Sequence, residues 1–203
     1  MYLAGRWADR QLSRLELVIV VIVLSLILFV LIQHMLKIFA RAERSMLANS
    51  VMNINTTLQY RAAWHVLKAD YAALEAMNGM NPFDLSVMGQ GWLDNSAYPN
   101  ISRQMLSGLV DIRLPASYLG VIDTVEPTSI KGGSWYYDLQ QRRLVYRVSN
   151  YEYFETDLPG PARVEFIVDI DYKDRNDNNQ FDAGLDEYRT IYLRALRSYT
   201  WQF

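Results

Sequence analysis

The sequence contains no cysteine and only two histidines among its 203 residues. The missing thiols exclude a cysteine nucleophile, a zinc–thiolate site, an iron–sulfur cluster and a disulfide framework. His34 and His65 would need convergent acid or base partners to act in catalysis, and the motifs of nucleotide-binding enzymes, zinc proteases and serine hydrolases do not occur. We therefore expect a protein that is not an enzyme.

A strong excess of one charge is also missing. Twenty Lys and Arg residues stand against 22 Asp and Glu residues, for a formal net charge of -2, and the basic residues are scattered along the chain. Nucleic-acid binding requires a clustered basic surface that neutralises phosphates. The sequence gives no reason to expect a nucleic-acid partner.

One segment near the N-terminus has no charge at all. Between Glu16 and Lys37 no Asp, Glu, Lys or Arg occurs, and the apolar run of 17–32 contains a single hydroxyl. As a helix, this run continued to Leu36 rises about 30 Å, the thickness of a bilayer core. Polar and bulky residues follow it where a signal peptide would have small ones. We predict a retained membrane-spanning helix over 15–36.

The apolar positions continue beyond the span at helical spacing. No proline occurs before Pro82, and Gly79 is suited to end the helix. We predict an amphipathic continuation of the same helix over 37–80, giving more than sixty helical residues. The alternative is a break at 45–50 that separates two helices. The predicted buried positions form a main stripe, Phe39, Ala42, Met46, Ile54, Leu58, Ala62, Val66, Ala69, Ala73 and Ala76, and a second line, Tyr60, Trp64, Leu67, Tyr71 and Leu74.

The remainder, 81–203, has the composition of a β domain. Two runs flank Gln140 and Gln141 as a hairpin, and "ARVEFIVDIDY" and "YRTIYLRAL" are rich in aromatic and β-branched residues. In the first of these, Val164, Phe166, Val168 and Ile170 alternate with more polar positions, so one face is predicted to be buried. A long helix whose stripe is covered by an antiparallel sheet is an α+β fold.

Several features together resemble type IV pilins and the pseudopilins of type II secretion. They are "SRLEL" at the start of the apolar run, "NP" at Asn81 and Pro82, "LPASYLG" at 114–120 and "GGSWYYD" with "LVY" at 132–146. The resemblance implies a cytoplasmic N-terminal segment, 1–14, a single span in the bacterial inner membrane and a periplasmic domain, 81–203. It also implies other pilin-like subunits and inner-membrane assembly components as partners.

The same resemblance implies a role for Glu16, the acid at the edge of the span. In this family the glutamate neutralises the N-terminal amine of a neighbouring subunit, and Leu12 would begin the processed chain. Gln11 stands where the processing peptidase expects glycine, so we expect the first eleven residues to be retained. The alternative for Glu16 is a solvated charge near Arg14 at the membrane surface.

Two functions follow as hypotheses. The first is a structural pilin-like subunit or assembly accessory of a type IV pilus or type II secretion system. The alternative is a single-pass periplasmic sensor that binds a glycan or peptide through Trp92, Trp135, Tyr136 and Tyr137.

The stretch "DRNDNNQFDAGLDE" carries the most specific chemical pattern. Its oxygen-bearing residues are spaced as in the first half of an EF-hand loop, which binds calcium through six to eight hard oxygen ligands. Calcium near the C-terminus is also a feature of major pseudopilins that lack a disulfide. The alternative is an ordinary polar turn solvated by water. The predicted calcium ligands are Asp174, Asn176, Asn178, Gln180 through its backbone carbonyl, Asp182, and Asp186 as the substitute for the usual final glutamate.

Overall fold

The computed structural model describes residues 14–84, 115 and 117–203. Helix α1 covers Arg14–Leu67 and helix α2 covers Tyr71–Ala76. The strands are β1 (Tyr118–Ile122), β2 (Ser134–Asp138), β3 (Arg143–Arg147), β4 (Phe154–Thr156), β5 (Arg163–Lys173), β6 (Glu187–Ala195) and β7 (Tyr199–Trp201). The predictions that concern Gln11, Leu12 and Trp92 lie outside the described residues.

Helix α1 is continuous over 54 residues and passes through 45–50 without a break. The two-helix alternative is therefore wrong for that segment. The prediction of one helix reaching residue 80 is also wrong, because α1 ends at Leu67 and Ala69 adopts a left-handed φ of 52°. The Asp70 side chain then accepts a hydrogen bond from the Ala73 N–H at 3.2 Å and caps α2. A side-chain cap of this kind competes with continued helix, and apolar spacing does not reveal it.

The sheet has the strand order β1-β2-β3-β5-β6, and β4 pairs with β7 in a separate two-stranded ribbon. Strands β2 and β3 form the predicted hairpin, with Tyr136 opposite Val145. Strands β5 and β6 form the longest antiparallel pair, from Phe166 opposite Ala195 to Lys173 opposite Glu187. The four strand predictions, for β2, β3, β5 and β6, are confirmed, whereas β1, β4 and β7 were not predicted.

The predicted all-antiparallel sheet needs one correction. Strand β1 pairs with β2 in parallel, with Tyr118 opposite Trp135 and Val121 opposite Tyr137. Parallel neighbours require a crossover that returns the chain to the same end of the sheet, and 123–133 supplies this connection. The sheet is therefore mixed, within an α+β layout.

The second half of α1 packs on the sheet and contributes to one core. Its buried positions follow the helical period, but at the N-terminal end of this face, at Ala40, Glu43 and Leu47, they lie one residue beyond the predicted stripe. Ile54, Leu58 and Ala62 are buried as predicted, whereas Met46 and Leu67 are exposed. The buried side chains of this face are Ala40, Glu43, Leu47, Ile54, Leu58, Arg61, Ala62 and His65.

The second predicted line of the stripe is largely wrong. Leu74 is buried, but Tyr60 and Tyr71 are exposed and Trp64 is half-buried. Five residues of the predicted main stripe are also exposed: Phe39, Ala42, Val66, Ala69 and Ala76. The reason is that Glu43, Arg61 and His65 occupy the buried face, which a search for apolar residues cannot detect.

Gly79 has the left-handed conformation expected of a residue that ends a helix, with φ +67°. It follows α2 instead of α1. Its N–H donates to the Val168 carbonyl at 2.8 Å, and its own carbonyl accepts from the Tyr137 hydroxyl at 3.1 Å. Both contacts attach the end of the helical region to the sheet.

Candidate functional site

The first half of α1 has no covering in the structure. The apolar side chains from Leu17 to Ile32 are each about half exposed or more, and Ala40 is the first fully buried residue of the helix. One helix of the described chain is long and apolar enough to cross a membrane, and this is that helix. The core helix of a water-soluble protein can be as long and as apolar, but its most apolar stretch is mostly buried inside the protein. In α1, no residue of the most apolar stretch is buried.

Glu16 lies in the first turn of α1, and its side chain is exposed. A carboxylate at this position is stabilised by the partial positive charge of the helix N-terminus. The structure therefore places Glu16 at the edge of the apolar segment, as the sequence predicts. Its contact with another subunit remains a prediction.

Glu43 joins α1 to the end of β3 and is the most highly connected buried side chain of the helix. Its carboxylate accepts four hydrogen bonds, from the Tyr146 hydroxyl at 2.9 Å, the Ser149 N–H at 2.6 Å, the Asn150 N–H at 2.8 Å and the Asn150 side-chain amide at 2.6 Å. Burial, together with the adjacent Glu43 carboxylate, raises the pKa of Tyr146. Sequence reasoning missed this residue, although its spacing from Ala40 and Leu47 puts it on the buried stripe.

Two further ionisable residues of α1 are buried near its C-terminal end. An Arg61 guanidinium N–H donates to the Pro82 carbonyl at 3.1 Å, and burial lowers the pKa of Arg61 to about 10, so it remains charged at neutral pH. Nδ1 of His65 lies 3.6 Å from the Asp70 carboxylate. Burial lowers the pKa of His65 more than Asp70 raises it, and this histidine is neutral at pH 7.

The loop between β5 and β6 brings the six predicted calcium ligands into one hydrogen-bonded network. The Asp174 carboxylate accepts from the N–H groups of Asn176 and Asn179, at 3.1 Å and 2.7 Å. The side-chain amides of Asn176 and Asn178 both donate to one oxygen of Asp182 at 2.6 Å. The loop is therefore wound tightly around its own polar side chains.

The remaining two predicted ligands close the same loop. Asp186 accepts from the N–H groups of Arg175 at 2.9 Å and Asp182 at 2.8 Å, one on each carboxylate oxygen. The Gln180 N–H donates to the Asn178 side-chain oxygen at 2.7 Å. Asn179, which stands where an EF-hand has glycine, has a φ of 60°, so it adopts the left-handed conformation that glycine favours.

The donor set suits a hard cation only in part. All predicted ligands offer oxygen, but Asn176 and Asn178 direct their N–H₂ groups, and not their oxygens, toward Asp182. Within the described chain, no three Asp, Glu, His or Cys side chains cluster closely enough to hold a metal. Backbone N–H groups, that of Asn179 foremost, lower the pKa of Asp174, so this carboxylate is charged and available at neutral pH. Calcium would require both amides to rotate about their last side-chain bond.

Three of the four aromatic residues predicted for a ligand groove lie in the core, and the fourth, Trp92, lies outside the described residues. Trp135, Tyr136 and Tyr137 are each less than 5% exposed. An open cleft of about 810 Å³ lies elsewhere on the described surface, and Tyr151 is its exposed aromatic side chain. Arg147, Asp157 and Ser198 also line it. A ligand would therefore meet a polar cleft instead of an aromatic groove.

Comparison with known protein families, characterised proteins and solved structures gave no match. What the fold itself defines is an α+β protein in which one long helix is apolar and uncovered at its N-terminal end and forms part of the domain core at the other.

Proposed function

We propose that this chain is a single-pass membrane protein with a structural role, a pilin-like subunit or assembly accessory of a type IV pilus or type II secretion system. The observation that carries the proposal is the continuity of α1. A single helix provides both the uncovered apolar segment and the buried stripe of the domain, and no hinge is present between them. A membrane anchor on a flexible linker would not need this construction.

The continuity of α1 has a mechanical consequence. Because the Glu43 network and the apolar stripe fix α1 to the sheet, the position of the span determines the position of the domain. Lateral packing of spans would then order the domains into an array. In this proposal Glu16, at the edge of the apolar segment, sets the register between neighbouring helices by pairing with a cation of another subunit.

The test is cross-linking within the native membrane, which the cysteine-free sequence makes straightforward. Single cysteines are introduced one at a time from Val20 to Leu31 and oxidised. An assembling subunit gives disulfide-linked dimers at positions spaced three or four residues apart, which is one face of the helix. Glu16→Ala should weaken this pattern, whereas Glu75→Ala, an exposed acid in α2, should leave it unchanged.

The outcomes separate the hypotheses. Cross-links to a different membrane protein, without dimers of this chain, would identify an assembly accessory. No cross-link at any position would contradict the proposal and favour an isolated sensor, for which the cleft beside Arg147 and Tyr151 is a candidate ligand site.

We also propose calcium as the ligand of the β5–β6 loop. Support comes from the oxygen donors that the loop gathers and from the left-handed turn at Asn179. A bound ion would replace the amide N–H groups that now satisfy Asp182, and it would fasten the outer ends of β5 and β6 together.

A further inference from the structure

A basic stripe lies on α1 just beyond the apolar segment. Lys37, Arg41 and Arg44 are exposed and spaced by four and three residues, so they lie on one face of the helix. Glu43, the acid within this segment, points away into the sheet and is buried. Its carboxylate accepts hydrogen bonds from Tyr146, Ser149 and Asn150 and does not pair with the basic stripe.

The end of β7 meets this stripe. The Phe203 ring lies 5.5 Å from the Arg41 guanidinium carbon and 5.9 Å from that of Arg44. It also stacks on Trp201, with 6.2 Å between the ring centres, and it is 40% exposed. Exposed Lys37, Arg41, Arg44 and Phe203, together with the half-buried Trp201, thus form one surface, which we call the basal patch.

The height of the basal patch matches that of a lipid headgroup layer. With the apolar core ending at Leu36, Arg41 stands about 7.5 Å beyond it and Arg44 about 12 Å beyond it along the helix axis. The headgroup layer adds about 5 to 7 Å to each side of a bilayer core, and long basic side chains extend toward it. Lys37 lies within that layer, Arg41 lies at its outer edge with a side chain long enough to enter it, and Arg44 and the Phe203 ring beside it lie above it.

We infer that the basal patch seats the domain on anionic phospholipid headgroups. The inference rests on the proposed membrane span. Charge favours lipid over an apolar partner, because the stripe carries three exposed cations. They outnumber Glu152, an exposed acid on the 3₁₀ helix Tyr151–Tyr153, whose Tyr153 carbonyl accepts a hydrogen bond from the Gln202 N–H. Since α1 is continuous, seating takes place by tilting of the whole helix toward the side of the stripe, within the range usual for membrane spans.

The experiment measures the depth of residue 202 in lipid nanodiscs. Gln202→Cys in the full chain carries a fluorophore, and the lipids carry a nitroxide at the headgroup. Quenching is compared between nanodiscs of neutral phosphatidylcholine and nanodiscs that also contain phosphatidylglycerol. We expect strong quenching only with the anionic lipid, and less when salt is added. Asn78→Cys, beyond the far end of α1, should remain unquenched in both.

Removing charge tests the stripe itself. Each basic side chain near an anionic surface favours the seated state by about fivefold. The double variant Arg41→Gln with Arg44→Gln should therefore lower the ratio of domains seated on the headgroups to domains away from them by roughly thirtyfold. Quenching at residue 202 that is the same in neutral and anionic nanodiscs and does not change with salt would overturn the inference. This result does not depend on whether the double variant folds. A cysteine at residue 202 that a water-soluble thiol reagent cannot label in native membranes, but that is unquenched in anionic nanodiscs, would also overturn the inference. That result would favour an acidic protein partner.

A third labelled position separates this inference from the proposed span. Leu24→Cys lies in the middle of the apolar segment, and a nitroxide on the lipid acyl chains should quench it in every nanodisc. Quenching at residue 24 without lipid-dependent quenching at residue 202 would overturn the seating alone. No quenching at residue 24 would overturn the membrane span, and the seating with it.

Discussion

At the scale of single residues, the junction of helix and sheet depends on Glu43. Its carboxylate satisfies N–H groups of Ser149 and Asn150 at the end of β3, where the chain leaves the sheet. A buried carboxylate is costly unless every oxygen is hydrogen-bonded, and here the bonds are complete. The residue therefore fixes the rotation of α1 about its own axis in addition to its attachment.

Glu43→Ala should destabilise the protein strongly. The substitution leaves several buried donors without an acceptor, which corresponds to about 3 kcal/mol or more. Thermal unfolding of the full chain in detergent micelles measures the loss. Glu152→Ala, an exposed acid on the neighbouring 3₁₀ helix, should change stability by less than about 0.5 kcal/mol. Equal effects from the two variants would contradict the role given to Glu43.

His65 should make stability depend on pH. Burial lowers the pKa of His65 in the folded protein, against the opposing effect of Asp70 and with a smaller contribution from Arg61 and Lys68. The unfolded chain, with a histidine pKa of about 6.5, then binds the proton more readily, so stability falls as the pH drops below that value.

Melting temperatures between pH 7.5 and 5.5 test the role of His65. His65→Gln should flatten this part of the pH profile, because a glutamine side chain does not titrate. His34→Gln, at an exposed position near the end of the apolar segment, should retain the slope of the unsubstituted chain. A slope that persists in His65→Gln would assign it to another group.

At the scale of secondary-structure elements, the end of α1 is decided locally. Ala69 adopts a left-handed conformation that costs an L-residue about 1 kcal/mol, and Asp70 then caps α2. The strain is tolerated because the turn directs Leu74 and Met77 into the core.

One substitution at two positions should therefore have opposite effects. Ala69→Gly relieves the left-handed strain and should stabilise the protein by about 0.5 to 1 kcal/mol. Ala63→Gly, at an exposed position inside α1, should destabilise it by about 1 kcal/mol. Chemical denaturation of both variants measures the difference, and shifts of the same sign would contradict the assigned end of α1.

The β5–β6 loop gives a second prediction at this scale. If calcium binds with a dissociation constant on the order of 0.1 to 1 mM, then 10 mM calcium should stabilise the fold by about 1.5 to 3 kcal/mol. Melting curves with calcium, with magnesium and with chelator measure this effect. Asp174→Ala should abolish the calcium shift, whereas Asp123→Ala, an exposed acid outside the loop, should retain it. Identical melting temperatures under all three conditions would leave only a solvated turn.

At the scale of the whole molecule, the orientation of the proposed span would set the compartment of the domain. Arg6, Arg10 and Arg14 precede the apolar segment, and Lys37, Arg41 and Arg44 follow it, so the balance of basic residues does not select an orientation. The pilin-like proposal selects it instead, with the N-terminus in the cytoplasm and the domain in the periplasm.

Reporter fusions after Phe203 test this orientation. A reporter enzyme that is active only outside the cytoplasm should be active, and one that is fluorescent only inside it should be dark. The reverse pair of results would place the domain in the cytoplasm and contradict the proposed location. It would leave the seating of the basal patch on lipid intact, because anionic headgroups are bound through local charge.

Local patterns in the sequence determined much of the architecture. The uncharged run before Lys37, the β2–β3 hairpin and the alternation of Val164, Phe166 and Val168 each depend on neighbours along the chain, and each is present in the structure. The same holds for the winding of the β5–β6 loop, whose hydrogen bonds connect residues a few positions apart.

Only the tertiary structure decided which face of α1 is buried and how the sheet is completed. Glu43 can be buried because Ser149 and Asn150 donate hydrogen bonds to it. These partners lie more than a hundred residues away along the chain, so a hydropathy pattern cannot predict them. The parallel pairing of β1 and the meeting of Phe203 with Arg41 are contacts of the same long-range kind. Short-range periodicity is written into each segment of a sequence, whereas the partner of a buried charge is known only once the chain has folded around it.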